Sequence, residues 1–299
     1  MKRAIHFICV LLCSAVLLTF FCFLFAFLGN PVSWTVARIN ASRYLDQNCR
    51  ETDFRITKVQ YNFKTSGYYA HISAPSSRDR YFTVYFDGWG QYKNDTYSDI
   101  TERYTTLSRL NEQYRELVKG IFPYGGGNFD VSIGYGELRE SGLYEMHSYI
   151  DKSGNTVHST LNKEYGLDRS QLKLDKEYDI QSLGKEYGHI VLYIHDPEIS
   201  IEQASHLLLE VRQYADAQSV PFHAIDFHLC EPRTEDGQYN GEEITLFDFL
   251  YTDITEANLT ELIREHWTIA QEHYAIQDGI KNYPSDIFDK IKKISVNYA

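Results

Sequence analysis

The chain has 299 residues, with 29 Lys and Arg against 41 Asp and Glu and a formal charge of −12. That balance argues against nucleic acid as a partner, because tracking a phosphate backbone needs a basic surface. Five cysteines in a chain long enough for two ordinary domains exclude a disulfide-stapled scaffold.

The first element is an apolar run from Phe7 to Leu28, preceded by Met1-Lys2-Arg3. At 1.5 Å per residue it reaches ~33 Å, against a hydrocarbon core of ~30 Å. A cleaved signal peptide has a shorter apolar core, roughly 7–15 residues, and a small-x-small site. Phe27-Leu28-Gly29-Asn30-Pro31 offers no such site, and the residues before Cys13 and Cys22 do not suit a lipoprotein signal. The sequence therefore predicts a retained signal-anchor, a single transmembrane helix meeting the lipid bilayer through residues 4–28. Lys2, Arg3 and the amino terminus stand against Arg38 and Arg43 on the other side, which points to a cytoplasmic N-terminus in the cell membrane. The body then lies outside the cytoplasm, and without Lys2 and Arg3 its charge is −14. Cys9, Cys13 and Cys22 lie in the apolar run, where Cys acts as a small hydrophobe. Cys49 and Cys230 pair only if the fold brings them together; two separately buried thiols are expected.

Asn30-Pro31 ends the membrane helix and opens a second one, to about Gln47, with Val32, Val36, Ile39 and Leu45 as its apolar side. Strands are predicted at Phe54–Phe63, Tyr68–Ile72 and Tyr81–Phe86, joined by short turns as an antiparallel meander. A long helix follows from about Tyr97 to Ile121, striped by Ile100, Tyr104, Leu107, Leu110, Tyr114, Leu117, Val118 and Ile121. Pro123-Tyr124-Gly125-Gly126-Gly127-Asn128 breaks it as a hinge; without a following Gly-Lys-Ser/Thr it is no phosphate loop. Phe129–Leu138 reads as a strand, and Tyr144–Ile150 with Thr156–Thr160 as a hairpin.

The last third reads β-α-β-β-α. His189–His195 is a buried-type strand, and Ser200-Ile201-Glu202-Gln203 is a capping box opening a helix striped by Ile201, Ala204, Leu208, Val211 and Ala215. Phe222–Cys230 and Ile244–Tyr251 are strands. Leu259, Leu262, Ile263, Trp267, Ala270 and Tyr274 stripe a final helix. A sixth element from Ile294–Tyr298 would make this region ferredoxin-like. The predicted class is α+β: residues 1–29 the anchor, 30–122 and 123–280 two domains of helices on mainly antiparallel sheets, and 281–299 a tail.

Several segments together resemble a known family: Asn30-Pro31-Val32-Ser33 after the anchor, Tyr61-Asn62-Phe63-Lys64, and Tyr69-Ala70-His71-Ile72-Ser73-Ala74-Pro75-Ser76-Ser77. Asp95-Thr96-Tyr97, Leu174-Asp175-Lys176-Glu177-Tyr178-Asp179-Ile180 and Tyr187-Gly188-His189-Ile190-Val191-Leu192-Tyr193 extend the likeness. The chain resembles the YfjL-like single-pass membrane proteins of Gram-positive bacteria, a functionally uncharacterised group. The resemblance spans both domains and implies architecture and location, but supplies no catalytic residues. The first domain, a helix leading into an antiparallel sheet, is also analogous to PepSY-like and cystatin-like modules, which bind peptides or restrain enzymes; a shared fold alone does not assign function.

Chemistry-bearing patterns are sparse. On the strand to Cys230, period-2 geometry places Asp226, His228 and Cys230 on one face, about 7 Å apart, as candidate metal ligands. The competing reading, which the lack of a second ligand pair favours, is a half-buried strand whose polar groups bond at the sheet edge. His189, His195 and His206 read as ordinary polar positions. Ser170-Gln171-Leu172-Lys173 matches Ser-x-x-Lys without its companion motifs, as chance allows. Glu242-Glu243 and Asp248 with Asp253 read as solvated carboxylates. The 24 tyrosines are many. Tyr81 and Tyr85 share a strand face, with Trp89 and Tyr92 in the following loop, and together they are the candidate binding face, against plain strand packing. No cofactor is implied. The expectation is a membrane-anchored extracytoplasmic binding or interaction module without catalysis, its partner an envelope or membrane protein. The alternatives are a cell-envelope hydrolase with a dispersed carboxylate or metal site, and an assembly or immunity factor working through its anchor.

Overall fold

The computed structural model describes residues 2–49, 53–122, 129–141, 148–150, 156–158, 165–232, 234 and 243–267. The predicted hinge at 123–128, the turn at 151–155, the helix beyond 267 and the tail lie outside the described residues. The chain divides into two units, Met1–Thr106 with Leu172–Lys176, and Leu107–Gln171 with Glu177–Ala299. The first division point falls between Thr106 and Leu107.

In the first unit, α1 (Lys2–Leu28) is apolar along its length, and α2 (Pro31–Asn48) follows after two residues. Gly29 takes φ +79, the left-handed conformation that ends helices and that a Cβ disfavours. Asn30 caps α2, its side chain accepting from the Val32 N–H at 2.8 Å, and Pro31 occupies the first helical position. The buried face of α2 differs in part from the predicted one, of which Leu45 packs against the core. Ser33, Ala37 and Ala41 are buried, whereas Val32 and Ile39 are exposed. Small side chains at i, i+4 and i+8 let the backbone of Gly90 approach the helix closely, which a Val or Ile face would prevent.

The meander is as predicted: β1 (Arg55–Asn62), β2 (Gly67–Ser73) and β3 (Tyr81–Phe86), extended by β4 (Tyr92–Asp95), pair antiparallel in the order β1-β2-β3-β4. Tyr68, Ala70, Ile72, Phe82, Val84 and Phe86 form its buried face, with α2 residues in the same core. The expected single helix is two. Arg103 is left-handed (φ 67) and separates α3 (Ser98–Thr101) from α4 (Tyr104–Lys119), while its guanidinium donates to the carbonyls of Ile100, Thr101 and Leu172. Buried Asp79 accepts from Thr106 Oγ1 at 3.0 Å and from the Asp175 N–H at 2.8 Å. These bonds hold segment 172–176 on the first unit.

The second unit holds a mixed sheet, β10-β9-β8-β5, made of β5 (Val131–Leu138), β8 (Gly188–His195), β9 (Ala224–Cys230) and β10 (Glu243–Leu250). A two-stranded ladder of three residues each, β6 (Ser148–Ile150) with β7 (Thr156–His158), precedes α5 (Ile180–Tyr187). β8 and β9 pair in parallel, joined by α6 (Ile201–Ala217), which Ser200 caps as predicted by accepting from the Gln203 N–H. A ferredoxin-like fold would place another strand between these two; here they are direct neighbours, so the unit is a plain βαβ crossover with antiparallel edges. A further helix begins at 259. Ile190, Leu192, Ile194, Ile225, Phe227, Leu229, Leu246 and Phe249 are buried, with Ala204, Leu208 and Val211 of α6 buried in the same unit.

Candidate functional site

Two faces of the second sheet differ in character. Along β9, Ile225, Phe227 and Leu229 alternate with Asp226, His228 and Cys230, and every one is buried. A strand buried on both faces normally reads as continuous hydrophobics. Here the polar residues must therefore find partners within the protein.

Asp226 does so in a cluster assembled from residues on or next to four strands. Asp226 lies on β9, His189 on β8, Asp248 on β10, and Arg139 directly follows β5. Arg139 Nη2 is 2.9 Å from Asp248 Oδ1 and 4.0 Å from Asp226 Oδ2. Tyr165 donates its phenolic hydrogen to Asp248 Oδ1 at 2.9 Å. His189 Nε2 lies 3.0 Å from Asp226 Oδ1 and 3.5 Å from Asp248 Oδ1, while Nδ1 faces Glu137 Oε1 at 3.6 Å. The β9–β10 register breaks between Leu246 and Phe249, and at this bulge Asp248 is left-handed (φ 47). That conformation turns its own N–H onto Asp226 Oδ1 at 2.8 Å. A non-glycine residue in this region costs of order 1 kcal/mol, which the bonds to Asp226, Arg139 and Tyr165 offset.

His189 Nε2 faces two incompatible demands. Arg139 Nη2 is 2.7 Å away and bonds only to a bare nitrogen, whereas Asp226 needs a hydrogen there. Burial and Arg139 favour the neutral ring, but the bonded carboxylates of Asp226 and Glu137 outweigh them and raise its pKa above the ordinary value. The two aspartates are driven apart. Burial pushes both up; for Asp226 the His189 bond and charge, the Asp248 N–H and Arg139 win and hold it below the usual carboxylate range, while Asp248 stays raised. A His with a raised folded pKa contributes stability that is complete below its unfolded pKa of about 6.5 and lost as pH rises through the folded value. The full-length protein in lipid nanodiscs is thus expected to lose thermal stability on the alkaline side of about pH 6.5 through this group. His189→Gln should flatten that part of the profile; parallel profiles for both proteins would remove His189 as its source.

One ligand atom each from His189, Asp226 and Asp248 lie within 4.8 Å of one another, a spread that a cation can bridge. Arg139 already supplies positive charge 2.9 Å from Asp248, so a dication would have to displace it. The arrangement fits a closed ion-pair and proton-holding network better than a metal centre.

Of the predicted ligands, the strand does place Asp226, His228 and Cys230 on one face, but only Asp226 enters this cluster. His228 Nδ1 bonds Thr245 Oγ1 at 3.1 Å and its ring stacks on Tyr193 at 3.9 Å, while Cys230 Sγ is 4.0 Å from Glu243 Oε2. Cys49 is buried in the first unit and Cys230 in the second, as two separate thiols. Glu242 lies outside the described residues. His195 bonds the Glu231 carbonyl and His206 is exposed beside Glu210. Arg139 and Tyr165 had no sequence signal.

The predicted aromatic face is divided. Tyr81 and Tyr85 lie on the outer face of the first sheet, where Tyr85 meets Tyr69 edge-on at 4.8 Å. Tyr92 pairs in register with inward-facing Phe86 and stacks on Tyr44 of α2 at 5.7 Å, so it belongs to the opposite side. Both Tyr44 and Tyr92 donate to Asp95 Oδ2 at 2.8 Å. Burial alone would raise Asp95, but the Tyr97 N–H and these two phenols hold it below the usual range. Trp89 caps the intervening turn. Asp87 Oδ1 accepts from the N–H groups of Trp89 and Gln91, each at 2.9 Å, Gly90 takes φ +80, and Asn40 donates to the Gly90 carbonyl at 2.8 Å. The indole is 76 % exposed on this tied-down turn.

Neither the curated proteins nor the solved structures contain a significant match to the chain. Two family descriptions do match, the YfjL-like N-terminal domain over residues 2–96 and the YfjL-like C-terminal domain over residues 110–264. With both domains present in that order over most of its length, the chain belongs to the YfjL-like family.

Proposed function

We propose that this protein is a single-pass membrane protein whose body stands outside the cytoplasm and acts by binding an envelope or membrane protein, without catalysis. The cell membrane of a Gram-positive bacterium is the setting that the resemblance implies. The observation that carries the binding reading is the presentation of Trp89. Trp89 is 76 % exposed and held on a turn whose backbone is bonded to Asp87 and Asn40. Rigid aromatic side chains lose little entropy on binding, which is why Trp and Tyr dominate interface energetics. The charged cluster of the second unit supports the same reading, since its groups are buried and turned on one another rather than offered to a substrate.

The test is cross-linking in intact cells with a photoreactive amino acid in place of exposed Gln91, two residues from Trp89, followed by identification of the adduct. A specific protein adduct is expected, and Trp89→Ala should weaken recovery of that partner about 30-fold, the equivalent of ~2 kcal/mol. Equal recovery with Trp89→Ala would sink the role of this edge. A membrane-impermeant reagent that labels the body only after lysis would sink the orientation. A metal-assisted envelope hydrolase is the second reading, favoured by the convergence of His189, Asp226 and Asp248. It requires that zinc or manganese binds with a change in activity toward envelope substrates, and that Asp226→Asn removes both.

A further inference from the structure

The exit of the anchor is not a flexible tether. Tyr68 is buried, and its hydroxyl accepts from the Asn30 N–H at 2.6 Å and donates to the Asn30 carbonyl at 2.8 Å. Tyr61 donates to the Ala26 carbonyl at 3.2 Å, inside the last turn of α1. Gly29 packs so closely on the Tyr61 ring and the Tyr68 hydroxyl that an added Cβ would lie 2.7 Å from Tyr61 Cγ. The first two strands are therefore fixed to the end of α1.

That fixation brings one further residue to the level of the helix end. Phe63, at the tip of the β1–β2 turn, has its ring 5.8 Å from that of Phe27. Phe63 is 53 % exposed, Phe27 beside it is exposed, and so are Leu28 and Val32, which follow Phe27 in the chain. The apolar run from Phe7 to Leu28 reaches ~33 Å against a core of ~30 Å, so it has almost no length to spare. If it spans the bilayer, Phe27 sits at the hydrocarbon boundary, and the ring beside it sits there too. Lys64 follows Phe63 and is exposed; a long stem with a charged head suits the level of the lipid phosphates.

We propose that the β1–β2 turn, led by Phe63 with Lys64 beside it, is embedded in the headgroup–acyl boundary of the membrane that α1 crosses. The occupant of this exposed apolar patch is lipid, because the patch is continuous with the membrane-spanning helix and bonded to its last turn. The proposal rests on the membrane reading given above. It adds a second point of attachment, which sets how the first unit is oriented to the membrane plane.

Phe63→Trp in the purified full-length protein, reconstituted into phosphatidylcholine–phosphatidylglycerol vesicles, reads this directly. Its fluorescence is taken as the difference from the unsubstituted protein and compared with Leu18→Trp at mid-anchor. Lipids brominated near the headgroup end of the acyl chain should quench the added Phe63→Trp signal at least twofold, with blue-shifted emission. Lipids brominated near the chain terminus should quench Leu18→Trp instead. An unquenched, red-shifted position 63 beside a quenched position 18 would overturn the embedding and leave the anchor intact. That outcome includes the case in which a second copy of the chain covers the patch. No quenching at either position would overturn the membrane reading and the embedding with it. Far-ultraviolet circular dichroism matching the unsubstituted protein shows that each variant is folded.

Discussion

Replacing Arg139 by Met is expected to cost the second unit about 3–5 kcal/mol, the usual penalty for removing one partner of a buried ion pair. The guanidinium is buried, 2.9 Å from Asp248 and 4.0 Å from Asp226. Met keeps the volume but leaves two carboxylates in a site with little solvent. Arg139→Lys should recover only part of the loss, since an ammonium cannot reproduce the fork that faces Asp248 and His189 together. Asp248→Asn should be milder, because burial already disfavours its charge. Denaturant unfolding of the full-length protein in nanodiscs, followed by signals from the second unit, measures each value. If Arg139→Met unfolds within about 0.5 kcal/mol of the unsubstituted protein, the cluster is peripheral to stability.

The second large effect is expected at Tyr114. Its ring, fully buried on α4, occupies a slot walled by glycines: a Cβ on Gly136 would come within 2.8 Å of Tyr114 Cε1, and one on Gly184 within 2.7 Å of Cε2. Gly188 closes the slot around the phenol, whose hydroxyl donates to the Pro221 carbonyl at 2.9 Å. Tyr114→Ala should lose about 3–5 kcal/mol, as large aromatic-to-Ala changes in cores do. Tyr114→Phe removes only the hydroxyl bond and should lose about 1 kcal/mol. Unfolding of both variants separates packing from hydrogen bonding, and equal losses would contradict the slot as the source. Gly136→Ala should also destabilise, because both walls of the slot are already in contact with the ring.

Most regular elements were legible because their signals are local. The apolar run, the Asn30-Pro31 start, the Ser200 cap, the partial alternation along β1 and the continuous apolar run of β8 each depend on a few neighbouring residues. The exceptions have physical causes. α2 buries Ser33, Ala37 and Ala41 because a turn backbone lies against it, and a search for large apolar residues misses these while selecting exposed Val32 and Ile39. The long stripe from Tyr97 did not reveal the break at Arg103, because a left-handed residue stabilised by three carbonyl acceptors leaves the hydrophobic period intact.

The candidate site was legible only one residue at a time. Asp226 stood out as a polar residue on one face of a strand, whereas Asp248, which reads as a solvated carboxylate in the sequence, is buried. Nothing in their spacing joins them to each other, to His189 or to Arg139, since these residues lie 37, 22 and 50 or more positions apart in the chain. The aromatic candidates show the reverse: Tyr81, Tyr85, Trp89 and Tyr92 are neighbours in sequence, yet the β3–β4 turn carries Tyr92 to the other side of the sheet.

By itself the sequence determined that this chain has one helix apolar enough to cross a bilayer, followed by two α+β regions, because length, hydropathy and periodicity are properties of contiguous residues. Only the tertiary structure decided which buried polar groups meet one another, that Tyr92 turns away from Tyr81 and Tyr85, and that the β1–β2 turn lies beside the end of α1. Those relations depend on distances between strands that no local pattern encodes, and they follow from how each sheet closes over its core.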